Sequence, residues 1–93
     1  MLGTGHRPVA HTEWGSVRDV RGVHKPRYKA MLRRLREARI AADLTQVEVA
    51  KALHRTQAFV SKCESGERRI DPIDLMDFAR LYRKPVTFFL RDA

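Results

Sequence analysis

The segment from Thr56 to Lys62 places amide, hydroxyl and ammonium groups on the side of a predicted helix that its core residues leave free. Val60 and Cys63 supply the apolar side of that helix. A helix that only had to be soluble would more often show Glu and Lys on its free side. Solubility alone therefore does not explain the composition of this face. The residues on the free side are Thr56, Gln57, Ala58, Ser61 and Lys62.

The spacings that build catalytic and metal sites are missing from the sequence. Its four histidines are His6, His11, His24 and His54. No two of them stand at the spacing of helical metal ligands, and no C-x-x-C motif occurs. A Gly-rich phosphate loop and a G-x-S-x-G nucleophile motif are also missing. We therefore expect no enzymatic activity, no metal and no cofactor.

The charge of the chain points to a polyanionic partner. The 93 residues include 19 Lys and Arg against 11 Asp and Glu, which gives a formal net charge of +8. Such an excess on a small domain most often accompanies nucleic-acid binding, with a merely solvated surface as the alternative. A single cysteine forms no intramolecular disulfide and fits a reducing cytoplasm. No apolar run approaches the roughly 20 residues that cross a bilayer, so we expect no membrane contact.

Local signals divide the chain into an arm over residues 1–26 and a helical domain over 27–93. Four of the five glycines precede residue 27, and hydrophobic periodicity is missing there. In the domain, Thr45 and Glu48 form a T-x-x-E capping box, and Thr56 is a second N-cap. Gly66 ends the helix that Thr56 begins. These signals predict an all-α, compact five-helix bundle with its second helix at about 46–53 and its third at about 56–65.

The string "LREARIAADLTQVEVAKALHRTQAFVSKCESGERR" lies within residues of about 30–90 and resembles the Xre family, the Cro/CI-type helix-turn-helix of phage and bacterial repressors. Gln46, Ala50, Val60, Cys63 and the Glu64-x-Gly66 step carry the resemblance. It implies a lambda-repressor-like DNA-binding domain. The second helix of that domain crosses the DNA backbone, and the third, the recognition helix, lies in the major groove, usually in a dimer on a two-fold operator.

The resemblance also implies roles for individual residues. Glutamine can pair with adenine, lysine can donate to guanine, and a methyl group can meet the thymine methyl. The implied base readers are Thr56, Gln57, Ala58, Ser61 and Lys62. Residues near the DNA backbone would be Thr45, Gln46, Arg55, Ser65, Arg68 and Arg69. Plain capping remains the alternative for Thr45 and Gln46.

Other positions have structural interpretations. By resemblance, Arg39 and Glu64 form a partly buried ion pair between the first and third helices. Cys63 reads as an inert buried thiol. Phe59 can meet a thymine methyl or pack at the junction of the third and fourth helices. His54 stands where the resembled turn often has glycine, which leaves the geometry of that turn open.

The resulting hypothesis is a sequence-specific double-stranded DNA-binding transcriptional regulator, a repressor that acts by occupying its operator. The alternatives are an antitoxin that binds a toxin and autoregulates its operon, and a restriction–modification control protein. The arm has three readings: no role, insertion of Arg18, Arg21 or Lys25 into the minor groove, or partner binding.

A homodimer is expected from the apolar C-terminal segment. An exposed apolar cluster in that segment would serve as a two-fold seam. Alternatively, Phe88 and Phe89 close the core. The residues of the proposed seam are Val86, Phe88, Phe89 and Leu90.

Overall fold

The computed structural model of the protein describes residues 25–91, which form five α-helices and no β-strand. The helices are α1 (Pro26–Ala41), α2 (Gln46–Leu53), α3 (Gln57–Ser65), α4 (Pro72–Tyr82) and α5 (Val86–Leu90). The prediction of an all-α, five-helix bundle is confirmed. Of the predicted arm, residues 1–24 lie outside the described part, and Pro26 is already the first residue of α1. Within residues 25–91, no helix has the length and apolar character needed to traverse a bilayer.

Polar side chains close the N-termini of the three central helices. The Thr45 hydroxyl accepts from the Glu48 amide at 3.1 Å, and the Thr45 amide donates to the Glu48 carboxylate at 2.8 Å. This is the capping box that the T-x-x-E motif predicts. Thr56 accepts from the Phe59 amide at 3.0 Å, and Asp71 caps α4 in the same way. Local chemistry therefore sets where α2, α3 and α4 begin.

A tight turn joins α2 to α3. His54 ends α2 in the left-handed conformation, with φ 58° and ψ 42°, and the Arg55 amide donates to the Ala50 carbonyl at 2.9 Å. Ala50 is only 4% exposed, and its small side chain lets the two helices approach closely. His54 thus adopts the glycine-like geometry, at a cost of roughly 1–2 kcal/mol for a residue with a Cβ atom. The turn holds α3 against α2 with its outer face free.

Aromatic rings and aliphatic side chains fill the core between the helices. The Phe59 and Phe78 rings stack with centroids 6.3 Å apart, and Phe78 stacks on Tyr82 at 6.0 Å. The packing reading of Phe59 is therefore confirmed, because its ring is 8% exposed. The largest fully buried side chains are Phe78, Phe89, Leu35, Val49, Val60 and Cys63.

Two ionisable side chains are enclosed in this core. Burial raises the pKa of the Cys63 thiol to about 11, which agrees with an inert thiol. Burial also raises the pKa of Tyr82 well above its ordinary value. None of the described groups forms a hydrogen bond with the buried Tyr82 hydroxyl. Both groups therefore remain neutral at physiological pH.

Helix α5 closes the core instead of presenting an apolar surface. Phe89 is 1% exposed, and Val86 and Phe88 are half-buried against the core. Of the four residues assigned to a dimer seam, only Leu90 keeps more than half of its surface exposed, at 55%. This corrects the seam prediction for Phe89, whose ring is held by the packing of α5 against α1. The alternative, in which Phe88 and Phe89 close the core, describes the structure.

Candidate nucleic-acid interface

The outer face of α3 is largely exposed and carries polar side chains. Val60 and Cys63 are both 0% exposed and fix the opposite side of the helix in the core. This orientation turns the implied base-reading residues outward. Thr56, Gln57, Ala58 and Lys62 are exposed, and Ser61 is half-buried.

Chains of hydrogen bonds fix the orientation of the first of these residues. Gln57 Nε2 donates to Gln46 Oε1 at 2.9 Å, and Gln46 Nε2 donates to Glu64 Oε1 at 3.0 Å. The carboxylate of Glu64 only accepts, so the amide nitrogen of Gln46 must face it and its oxygen must face Gln57. The Gln57 amide therefore keeps its oxygen and one N–H hydrogen free for a ligand. We call Arg39, Glu64, Gln46 and Gln57 the polar relay.

The polar relay begins at the ion pair between α1 and α3. Arg39 Nε donates to Glu64 Oε2 at 2.7 Å, and Arg39 Nη2 donates to Glu64 Oε1 at 3.2 Å. Arg39 Nη1 donates to the Leu44 carbonyl at 2.9 Å. The two side chains are 12% and 6% exposed, and the hydrogen bond to Glu64 raises the pKa of Arg39 although burial opposes it. The pair is the partly buried one that the resemblance implies.

The N-terminus of α2 adjoins the same relay. Thr45 is exposed and occupied by the capping box, and Gln46 is half-buried with both polar side-chain atoms engaged. The cap satisfies the amide of Glu48, while the amides of Gln46 and Val47 donate to no described group. Free amides at a helix N-terminus favour an anion such as a phosphate. The capping box therefore leaves two backbone amides at this end of α2 without a described acceptor.

A second group of predicted residues flanks α3 at the ring of Phe59. The Arg55 guanidinium lies over the ring at 3.6 Å from its centroid, and that of Arg68 lies at 4.9 Å. Arg55 Nη1 also pairs with Asp74 Oδ1 at 3.3 Å, with its side chain 37% exposed. Arg55 is therefore partly exposed, but its guanidinium is held against the protein by stacking on Phe59 and by the ion pair with Asp74.

The remaining predicted backbone residues lie at the end of α3 and in the loop after it. Ser65 donates to the Lys62 carbonyl at 3.2 Å. Arg69 lies 5.8 Å from the centroid of the Tyr28 ring, and the Tyr28 hydroxyl accepts from the Ile70 amide at 3.0 Å. Tyr28 therefore attaches to α1 the loop that contains Arg68 and Arg69.

The sequence predicts the residues of this surface and, by resemblance, the Arg39–Glu64 pair, but not the hydrogen bonds of Gln46 to Glu64 and Gln57. Nothing in the sequence pairs Gln46 with Gln57, because these two side chains meet only after α2 packs against α3. A usable signal was the position of each: Gln46 opens α2 and Gln57 opens α3. Within residues 25–91, no cluster of His, Cys, Asp and Glu side chains could hold a metal.

Comparison with models of protein families gives a match that includes this surface. A family model described as a helix-turn-helix domain matches residues 30–87, which include α2, α3 and α4 completely. No curated protein and no solved structure gives a significant match. The matched region contains every member of the polar relay and every exposed residue of α3.

Proposed function

The chain belongs to the helix-turn-helix domain family, and on that premise we propose that it is a transcriptional regulator that reads duplex DNA by sequence. DNA binding in general follows from the family. The observation that carries sequence reading is the orientation of the Gln57 amide, with one oxygen and one N–H hydrogen free. An amide presented in this way matches the donor and acceptor of adenine in the major groove.

The outer face of α3 supplies the other base contacts of the proposal. Lys62 is exposed and can donate to guanine, and the Ala58 methyl can meet the methyl of thymine. Ser61 and Thr56 add hydroxyl groups, although the Thr56 oxygen already caps α3. Gln57 and Lys62 therefore make the discriminating contacts in this proposal.

Positioning on the duplex is assigned to groups at both ends of this face. At one end, the free amides of α2, with Thr45 and Gln46, would hold a phosphate. The residues assigned to phosphates at the other end are Ser65, Arg68 and Arg69, with Arg55 beside them over Phe59. The net charge of +8 supports binding to a polyanion.

Repression by occupancy completes the proposal. A domain seated in the major groove excludes polymerase from overlapping DNA, so binding is itself the regulatory output. We extend the proposal to a homodimer on a two-fold operator in the cytoplasm. Because Phe89 is buried, the two-fold contact would have to use other surfaces than the full predicted seam.

Selection of bound duplexes from a random pool tests this function. We expect enrichment of one motif, repeated as two inverted half-sites about one helical turn apart if the chain binds as a dimer. A variant that carries Gln57→Ala and Lys62→Ala should enrich no motif from the same pool while retaining the helical circular-dichroism spectrum. A single half-site would remove the dimer from the proposal. Failure of the wild-type chain to enrich any sequence would refute sequence-specific binding.

A further inference from the structure

The outward face of α1 carries a row of unpaired cations. Lys29, Arg33 and Arg36 follow one another at spacings of four and three residues and are all exposed. Residues at these spacings lie on one helix face. Within the described part of the chain, no carboxylate lies within ion-pair distance of any of the three. The face is therefore a strongly positive surface that no acidic side chain among residues 25–91 neutralises.

The next residue on this face, Ile40, is apolar and lies at a groove. Ile40 follows Arg36 by four residues and is 58% exposed. It lines an open groove of about 400 Å³ between the end of α1 and the start of α2, together with Leu44 and Val47. Val47 is 51% exposed. Two large aliphatic side chains thus stand in solvent at the end of a row of cations.

The combination decides between two kinds of polyanion. A DNA backbone neutralises arginine and lysine but offers no apolar group for Ile40 and Val47. An acidic protein segment with a large apolar side chain satisfies both parts, because burial of aliphatic surface adds to charge pairing. The rise from Lys29 to Ile40 is about 16 Å at 1.5 Å per residue, which matches three turns of a docked helix.

We propose that this surface docks an acidic, amphipathic segment of a partner protein. The carboxylates of that segment pair with Lys29, Arg33 and Arg36, and its apolar anchor enters the groove at Ile40 and Val47. The mode is a helix laid along a groove, with charges fixing its direction. Docking does not depend on the proposed function, because none of these five side chains is assigned to DNA.

The groove also adjoins the polar relay, since Gln46 and Gln57 form part of its wall. A bound acidic segment therefore brings negative charge beside the surface assigned to DNA. If the proposed function holds, the partner weakens DNA binding, because its carboxylates repel the phosphates. The weakening of DNA binding is measured separately from the binding of the acidic segment.

Panning of a phage-displayed library of random peptides against the full chain tests the proposal at low ionic strength. We expect enriched peptides with several Asp or Glu around one or two large apolar residues. Ile40→Ser combined with Val47→Ser should weaken their binding at least about tenfold, as should Arg33→Glu combined with Arg36→Glu. The matched controls are Ile73→Ser with Met76→Ser, two exposed apolar residues of α4, and the single charge reversal Arg80→Glu. The controls should bind the peptides like the wild type.

Three results would overturn the proposal. The first is the absence of peptides that bind the wild type better than the Ile40→Ser, Val47→Ser variant. The second is enrichment of neutral or basic peptides. The third is an Arg33→Glu, Arg36→Glu variant that keeps peptide affinity but loses affinity for a random-sequence duplex, which would assign the face to DNA. Peptide binding that fails while duplex selection succeeds refutes docking alone, and the reverse outcome refutes only the proposed function.

Discussion

At the scale of single residues, the hydrogen bonds of Glu64 explain how the polar relay is held in place. Its carboxylate accepts from Arg39 on α1 and from Gln46 on α2, while Glu64 itself belongs to α3. One side chain thus ties three helices together beneath Gln57. Such a group stabilises the fold only while its partners are present, because a partly buried charge without its counter-ion is costly.

Replacement of Glu64 by alanine is therefore expected to destabilise the domain by roughly 3–5 kcal/mol, because it leaves the Arg39 guanidinium buried without its counter-ion. Thermal unfolding followed by circular dichroism measures the change. Glu67→Ala removes the same charge from an exposed position in the loop after α3 and should change stability by less than about 0.5 kcal/mol. Equal melting temperatures for the two variants would show that the ion pair contributes nothing.

Removal of the buried Tyr82 hydroxyl is expected to stabilise the protein, in contrast to the loss of the Glu64 carboxylate. It has no hydrogen-bond partner among the described groups, whereas the Tyr28 hydroxyl accepts from the Ile70 amide at 3.0 Å. Tyr82→Phe should stabilise the protein by about 1 kcal/mol, because it removes an unsatisfied polar group, and Tyr28→Phe should destabilise it by about 1 kcal/mol. Urea unfolding of both variants compares them. A loss in Tyr82→Phe as large as that in Tyr28→Phe would mean that its hydroxyl is satisfied.

The raised pKa of the Cys63 thiol makes the free energy of unfolding depend on pH in the alkaline range. Burial raises its pKa from 9.0 to about 11 in the folded protein. Below pH 9 the thiol is protonated in both states, so its contribution is fully present. Between pH 9 and 11 only the unfolded state releases the proton, so stability falls, by about 2–3 kcal/mol for this group. Cys63→Ala should show a shallower fall across that window in urea unfolding, and a parallel fall would contradict the assignment.

At the scale of helices, the turn between α2 and α3 contains a strained residue, and a substitution could relieve the strain. His54 has φ 58°, a conformation that glycine adopts without steric penalty. His54→Gly should therefore stabilise the domain by about 0.5–1 kcal/mol. Ala42→Gly is the control, since Ala42 ends α1 with φ −82° and gains only flexibility. Glycine at position 42 should destabilise by about 0.5–1 kcal/mol, and similar effects at both positions would refute the argument from φ.

The helices themselves were predictable because their signals are local. Thr45, Thr56 and Asp71 cap their helices through bonds to residues three positions later, and such spacings can be read directly. The polar relay was not predictable from spacing, because Gln46 and Gln57 meet only through the packing of α2 on α3. For the same reason the sequence leaves Phe89 open between a dimer seam and the core, since its burial depends on where α5 packs.

At the scale of the whole molecule, the apolar core and the polar outer face of α3 are made of different residues. Buried residues on the inner sides of all five helices form one apolar core. Among residues 25–91, all basic side chains lie outside that core. Substitutions on the outer face of α3 should therefore alter binding without altering the fold, and this separation makes the central claim testable.

The most direct test is the affinity of the full chain for its selected duplex and for a scrambled duplex of the same composition, measured by fluorescence anisotropy. We predict that the wild type prefers the selected duplex and that Gln57→Ala loses roughly 1–3 kcal/mol of that preference with little change on the scrambled duplex. Met76→Ala, a neutral change at an exposed site on α4, should retain the full preference. A Gln57→Ala variant that discriminates as well as the wild type would contradict the account.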